Sequence, residues 1–182
     1  MDSMIEIYLN RANNEILLAQ SIKRLSETPE DKENFNLPSD ITFYSSVISH
    51  SYYSIFYAAK AILLTKDIKT YPPEVHKKTY DKFKETFVDT GILDVNLLTI
   101  YKKMIIKADQ LLQIFKTEKK KRGEFTYTTI PQANKDPAND SLDHARTFFN
   151  NIKKVIKTKR DGKKLQTWGL KPEEIVTKNH WH

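Results

Sequence analysis

Apolar residues recur at intervals of three and four along almost the whole chain, and only 4 of its 182 residues are glycine. That spacing is the period of a helix, not the strict alternation of a half-buried strand. Ile5, Tyr8, Ala12, Ile16, Ala19 and Ile22 make one such stripe. Tyr44, Ile48, Tyr52, Ile55, Ala59 and Ile62 make a second, widened by Val47, Phe56 and Leu63. A helix with so broad an apolar face belongs at the centre of its neighbours. His76, Tyr80, Phe83 and Phe87 form a short third stripe. Leu97, Ile100, Met104, Ala108, Leu111 and Phe115 form a fourth, and Leu142, Ala145, Phe149, Ile152 and Ile156 a fifth. No internal repeat or strand pattern interrupts them. The expected fold is all-α, an up-and-down helical bundle of four long helices plus one short helix.

The punctuation between the stripes sets the expected boundaries. The first helix is read over residues 3–25. SETPEDKENFNLPSD, with two prolines and many polar groups, is read as a loop. Ser39 or Asp40 then caps the second helix, which runs to residue 66. The prolines of TYPPEVH start the short third helix, and Gly91 suits the left-handed position beyond its end. Asp94 caps the fourth, which continues through EKKKR, where cations suit the negative end of the helix dipole. TTIPQANKDPAN is read as non-helical, with Asn139 or Asp140 capping the fifth helix. From Lys157 onward the pattern fades, so residues 1–158 are expected to form the helical domain and 159–182 a basic C-terminal tail.

Composition narrows the chemistry. Cysteine is absent, so no disulfide framework, thiolate metal site or thiol nucleophile is available. No apolar run approaches the ~20 residues that span a bilayer. MDSMIEIYLN carries acids where a signal peptide needs a basic region. A soluble cytoplasmic protein with no membrane contact is expected. The formal net charge of +7 favours polyanions, of which RNA and nucleotides are the common intracellular examples. A solvated lysine-rich surface is the plainer reading of the same charge. No glycine loop cradles a phosphate and no His/Asp/Glu set has metal-ligand spacing, so no cofactor and no metal site is expected. Ser49, His50 and Ser51 are adjacent, and on a helix they point apart.

Chemistry concentrates where the fourth helix ends, in KRGEFTY. Arg122 follows Lys119, Lys120 and Lys121 there. A guanidinium can grip a phosphate through two hydrogen bonds and steady the charge of a phosphorane-like transition state. Gly123 lets the chain leave the helix, Glu124 can orient Arg122, and Tyr127 offers a hydroxyl and a stacking face. The purely structural reading is a capping glycine, dipole-matched lysines and two aromatics on the bundle end. His144 lies early in the fifth helix. In an antiparallel pair of helices it would return toward Arg122, giving a composite site. His76 reads as a hydrogen-bonded packing residue, and the tyrosines as core residues with hydroxyls at the rim.

SVISHSYYSIFYAAKAILL resembles the signature helix of HEPN domains, the higher eukaryotes and prokaryotes nucleotide-binding domains. VHKKTYDKFKETFVDTGILD, RGEFTY and SLDHARTFFNNI are similar to the family's later elements in the same order. The resemblance covers roughly residues 4–156. It implies a helical bundle that forms a homodimer. Many members are metal-independent endoribonucleases of toxin–antitoxin or defence type, encoded beside a minimal nucleotidyltransferase. Their motif is an arginine, a polar residue and, a few positions on, a histidine, two copies meeting across the dimer. Carried over, Arg122 binds the phosphate, with Tyr127 or His144 assisting and Lys119, Lys120 and Lys121 holding the nucleic acid. The chain departs from the motif at Gly123, where a polar residue is usual, and at Tyr127, near where the histidine would stand. A tyrosine of pKa ~10 is a poor base at neutral pH. Three functions stay open: an RNA-binding and RNA-cleaving protein, a non-catalytic HEPN module that binds nucleotides or a nucleotidyltransferase, and a helical interaction protein with no specific ligand.

Overall fold

The computed structural model describes residues 2–121 and 135–161. Six α-helices and no strand occur among them: α1 Asp2–Glu27, α2 Pro29–Asn34, α3 Tyr44–Leu64, α4 Val75–Phe83, α5 Val95–Lys121 and α6 Lys135–Arg160. Four are long, as the stripes require. A π-helical turn, Lys84–Val88, prolongs α4. Side-chain contacts set the directions. His50 of α3 meets Glu15 of α1 and Lys60 meets Tyr8, so the two helices run antiparallel. Lys107 of α5 reaches Pro137 and Ser141 of α6, and Tyr101 packs on Phe148, so that pair is antiparallel too. Lys159, near the end of α6, donates to the Thr65 carbonyl just past α3 at 2.6 Å.

The second stripe does sit at the centre. α3 buries Val47, Ile48, Tyr52, Ile55, Ala59, Ile62 and Leu63, and beyond them Ser51, Ala58, Ala61 and Leu64. Small residues line its contact with α1: Ala12, Ala19, Ala58, Ala59 and Ala61 are fully buried. With so little side chain between them the two axes can approach at the short end of the usual 8–10 Å range. The other side of the core is aromatic. Tyr101 of α5, Phe83 of α4 and Phe148 of α6 are fully buried, with ring centroids 5.4–5.8 Å apart.

Several boundaries differ from the sequence reading. The stretch read as one loop contains α2, because Pro29 occupies its first turn, where the missing N–H costs nothing. Neither Ser39 nor Asp40 caps α3. The helix starts at Tyr44, and the Phe43 N–H that precedes it is satisfied by the Ser26 hydroxyl at 2.9 Å. α6 starts at Lys135, four residues or more before the expected caps, with Pro137 tolerated in its first turn. It continues to Arg160, past the point where the apolar pattern fades, and Arg160 pairs with Glu6. The Asp94 cap is as expected: its carboxylate accepts from the Asn96 N–H at 2.7 Å. Gly91 has φ +71°, the left-handed conformation that glycine adopts without strain.

Candidate functional site

Of the three residues singled out from the sequence for catalysis, His144 is the one that lies among the described residues. It lies in the third turn of α6, half-buried, on the side that faces α5. Lys107 fixes this contact by donating from Nζ to the Ser141 hydroxyl at 3.3 Å and to the Pro137 carbonyl at 3.4 Å. Burial lowers the pKa of His144. Lys107 and then Lys103 lower it further, and Asp140 and Asp143 oppose the shift. The imidazole is therefore held toward its neutral form more strongly than a free histidine. Its Nδ1 is buried and finds no hydrogen-bond partner among the described residues. A neutral imidazole beside two cations suits a general base acting on an anionic substrate, and the proton would go to Nε2, because Nδ1 is closed to solvent.

The basic corner is described only in part. Lys119, Lys120 and Lys121 form the last turn of the α5 backbone. Arg122 and Tyr127 lie outside the described residues, as do Gly123 and Glu124. α6 meets α5 at Lys107, part-way along that helix. Lys121 is fourteen residues further on, ~21 Å along the axis at 1.5 Å per residue.

His76 is a packing residue, as its place on the inner face of α4 suggests. Its Nδ1 lies 2.8 Å from the Tyr52 hydroxyl, and its ring sits 4.2 Å from that of Phe56. Burial lowers its pKa, and Lys60 adds to the shift. His76 and His144 thus share a sign. A histidine whose folded pKa is depressed contributes stability that is present above the unfolded value of ~6.5 and lost as pH falls through the folded pKa. Denaturant midpoints are expected to hold steady above about pH 7 and to decline below about 6.5, because the unfolded chain then takes up protons that the folded one refuses. A His76→Gln variant should show a shallower decline. An identical decline in that variant would remove His76 from this account.

One feature was not legible in the sequence. Along the seam of α1 and α3, the rings of Tyr53, Tyr57 and Tyr8 follow one another at 6.4 and 6.2 Å. Arg11 lies over Tyr57 at 5.7 Å and Lys60 over Tyr8 at 5.0 Å. Reading the tyrosines as core fits Tyr52 and Tyr101, which are buried, and half-buried Tyr44 and Tyr80. It does not fit Tyr53, which is 40% exposed. The available signal was the spacing of Tyr53, Tyr57 and Lys60 at i, i+4 and i+7, a second stripe beside the core-facing one.

Among the described residues no group of three or more His, Asp or Glu side chains is placed to hold a metal ion, and no helix is long and apolar enough to cross a membrane. The HEPN domain model matches residues 23–156. Two curated proteins of Methanocaldococcus jannaschii are similar to the chain. One is named "Putative toxin MJ0142", 36% identical over 80 residues, which cover 44% of this chain and 50% of that protein. The other is named "Putative toxin MJ0605", 30% identical over 114 residues, which cover 63% of this chain and 72% of that protein. The chain thus spans half the length of the first. No solved structure matches it.

Proposed function

The chain belongs to the HEPN domain family, and on that premise we propose that it is a toxin-type member that binds RNA and cleaves it without a metal ion. The printed names of the two archaeal relatives support the toxin class. The net charge of +7 supports a polyanionic target. The observation that carries the chemistry is His144, a half-buried imidazole that burial and the nearby Lys107 and Lys103 hold toward its neutral form. In this reading a 2′-hydroxyl gives its proton to His144 and attacks the adjacent phosphorus, forming a 2′,3′-cyclic phosphate as the bond to the 5′-oxygen breaks, and the 5′-oxygen leaves as a hydroxyl with a proton from solvent. Arg122 contacts the phosphate and offsets the charge that grows on its oxygens. Tyr127 donates a hydrogen bond or stacks on a base, and Lys119, Lys120 and Lys121 hold the strand.

The long run of α5 past Lys107 favours a site shared between two copies. The end of that helix is ~21 Å beyond Lys107, which meets Ser141, and His144 lies on the far side of that contact in the same chain. A homodimer with two-fold symmetry would bring Arg122 of one chain to the partner's His144, twice over.

The test is incubation of the purified protein with total RNA and a chelator, beside Arg122→Ala. Cleavage should persist in chelator and slow about 10²–10³-fold in the variant, the usual loss when one donor to a developing oxyanion is removed. RNA that stays intact at concentrations where binding is measured would overturn the nuclease. It would point instead to a non-catalytic module that partners a nucleotidyltransferase.

A further inference from the structure

We propose that the seam between α1 and α3 is a stacking surface for single-stranded RNA, with Tyr53 as its open end and Arg11 and Lys60 as its phosphate contacts. The proposal rests on RNA being the target and adds where the strand lies, on helix faces distinct from the one that carries His144.

Aromatic rings serve two different roles in this molecule. Around Tyr101 in the core they meet edge to face: Tyr80, Phe83 and Phe148 each approach it with interplanar angles of 69–77°. Edge-to-face contact closes a cluster, because each ring's positive rim seals a neighbour's negative face. The seam is built otherwise. Tyr53 and Tyr57 lie at 29°, and Tyr57 and Tyr8 at 21°, so successive rings lie nearly parallel. A near-parallel row can be extended by another planar ring, and its last member here is Tyr53, which stays 40% exposed although Tyr52 and His76 also meet its ring at 5.6 and 6.1 Å. A nucleobase supplies such a ring, and stacking on an aromatic side chain accepts any base.

Charge selects the same occupant. The Arg11 guanidinium and the Lys60 ammonium stand over this row at 5.7 and 5.0 Å, spaced along it on opposite helices. Two acids of α1 that might repel a phosphate already have side-chain partners of their own. Glu15 pairs with His50 at 2.6 Å, and Glu6 pairs with Arg160. Stacking faces joined to unneutralised cations are what a single strand requires, and a second protein surface has less use for the cations.

The probe is a fluorescently labelled single-stranded oligouridylate, titrated by anisotropy against the full chain and its variants at two salt concentrations. Tyr53→Ala should weaken binding about 5- to 100-fold, the range for losing one base–aromatic stack. Tyr53→Phe, which keeps the ring, should bind within about twofold of wild type. Arg11→Ala should weaken binding and flatten the salt dependence by about one phosphate contact. Tyr53 is exposed, so its truncation leaves the bundle intact, which circular dichroism verifies. Unchanged affinity in Tyr53→Ala, beside a loss when Lys119, Lys120 and Lys121 are neutralised together, would overturn this surface and leave the RNA reading standing. No binding by the wild-type chain would overturn both.

Discussion

Replacing His144 by asparagine is expected to slow RNA cleavage by about 10²–10⁴-fold, the usual worth of a positioned general base. Affinity for RNA should change little, because the imidazole is neutral and adds no charge to the electrostatic attraction. The loss should therefore fall on kcat rather than KM. The wild-type pH profile should carry the same signature. Burial and the two lysines hold the His144 pKa below its ordinary value. The base form then persists into mild acid, and the rate should fall only at a pH below the ~6.5 of an unperturbed histidine. If the site is shared, His144→Asn and Arg122→Ala should complement each other. Half the dimers in an equal mixture are mixed, and each mixed dimer has one site with both residues intact. About a quarter of wild-type activity should return. Activity that returns in neither direction would place both residues of a site in one chain. Full activity in His144→Asn alone would remove His144 from the chemistry.

What the sequence made legible follows from what periodicity measures. It counts apolar residues per turn, so it located the four long helices and put α3 at the centre. Ile5, Ala12 and Ile16, then Ile55, Ala59 and Ile62, and then Leu142, Ala145 and Ile152 are all buried. Local chemistry was harder. Pro29 and Pro137 have the look of breaks in the sequence, yet each occupies a first turn, where proline's fixed φ and missing N–H suit a helix start. Ser39 and Asp40 have the composition of caps, but composition does not reveal that Ser26, seventeen residues earlier, satisfies the Phe43 N–H. The site was legible in its residue types and not in its geometry. His144 stood out as a titratable group near an apolar face. Its neighbours Lys103 and Lys107 depend on which turn of α5 meets α6, a register set by contacts between residues more than thirty positions apart, such as Lys107 and Ser141. The tyrosine row was hidden for the same reason, since Tyr8 lies on α1 and Tyr53 and Tyr57 on α3.

The largest stability effect is expected from Phe148→Ala. Phe148 is fully buried, with ring centroids 5.4 Å from Phe83 and 5.6 Å from Tyr101, so one side chain ties α6 to α4 and α5. Truncating a buried phenylalanine costs about 3–5 kcal/mol, lost burial plus the cavity that rigid neighbours cannot refill. Domains of this size have about 5–15 kcal/mol in total, so the variant should sit near the threshold of unfolding at 37 °C. It should also lose function beyond its share of unfolding, because His144 is one turn away on the same helix. Tyr101→Phe is the complementary change, made at a neighbouring ring. The Tyr101 hydroxyl is buried without a hydrogen-bond partner among the described residues, and burial drives its pKa upward. An unpaired buried hydroxyl costs about 1–3 kcal/mol, and deleting it leaves the ring and its edge-to-face contacts in place. The midpoint of denaturant unfolding should therefore rise in Tyr101→Phe and fall steeply in Phe148→Ala. A falling midpoint in Tyr101→Phe would mean that the hydroxyl has a partner in solution. A small effect of Phe148→Ala would mean that α6 is held mainly by α3, through Ile152, Val155 and Ile156, and that the aromatic cluster is a lesser part of the core.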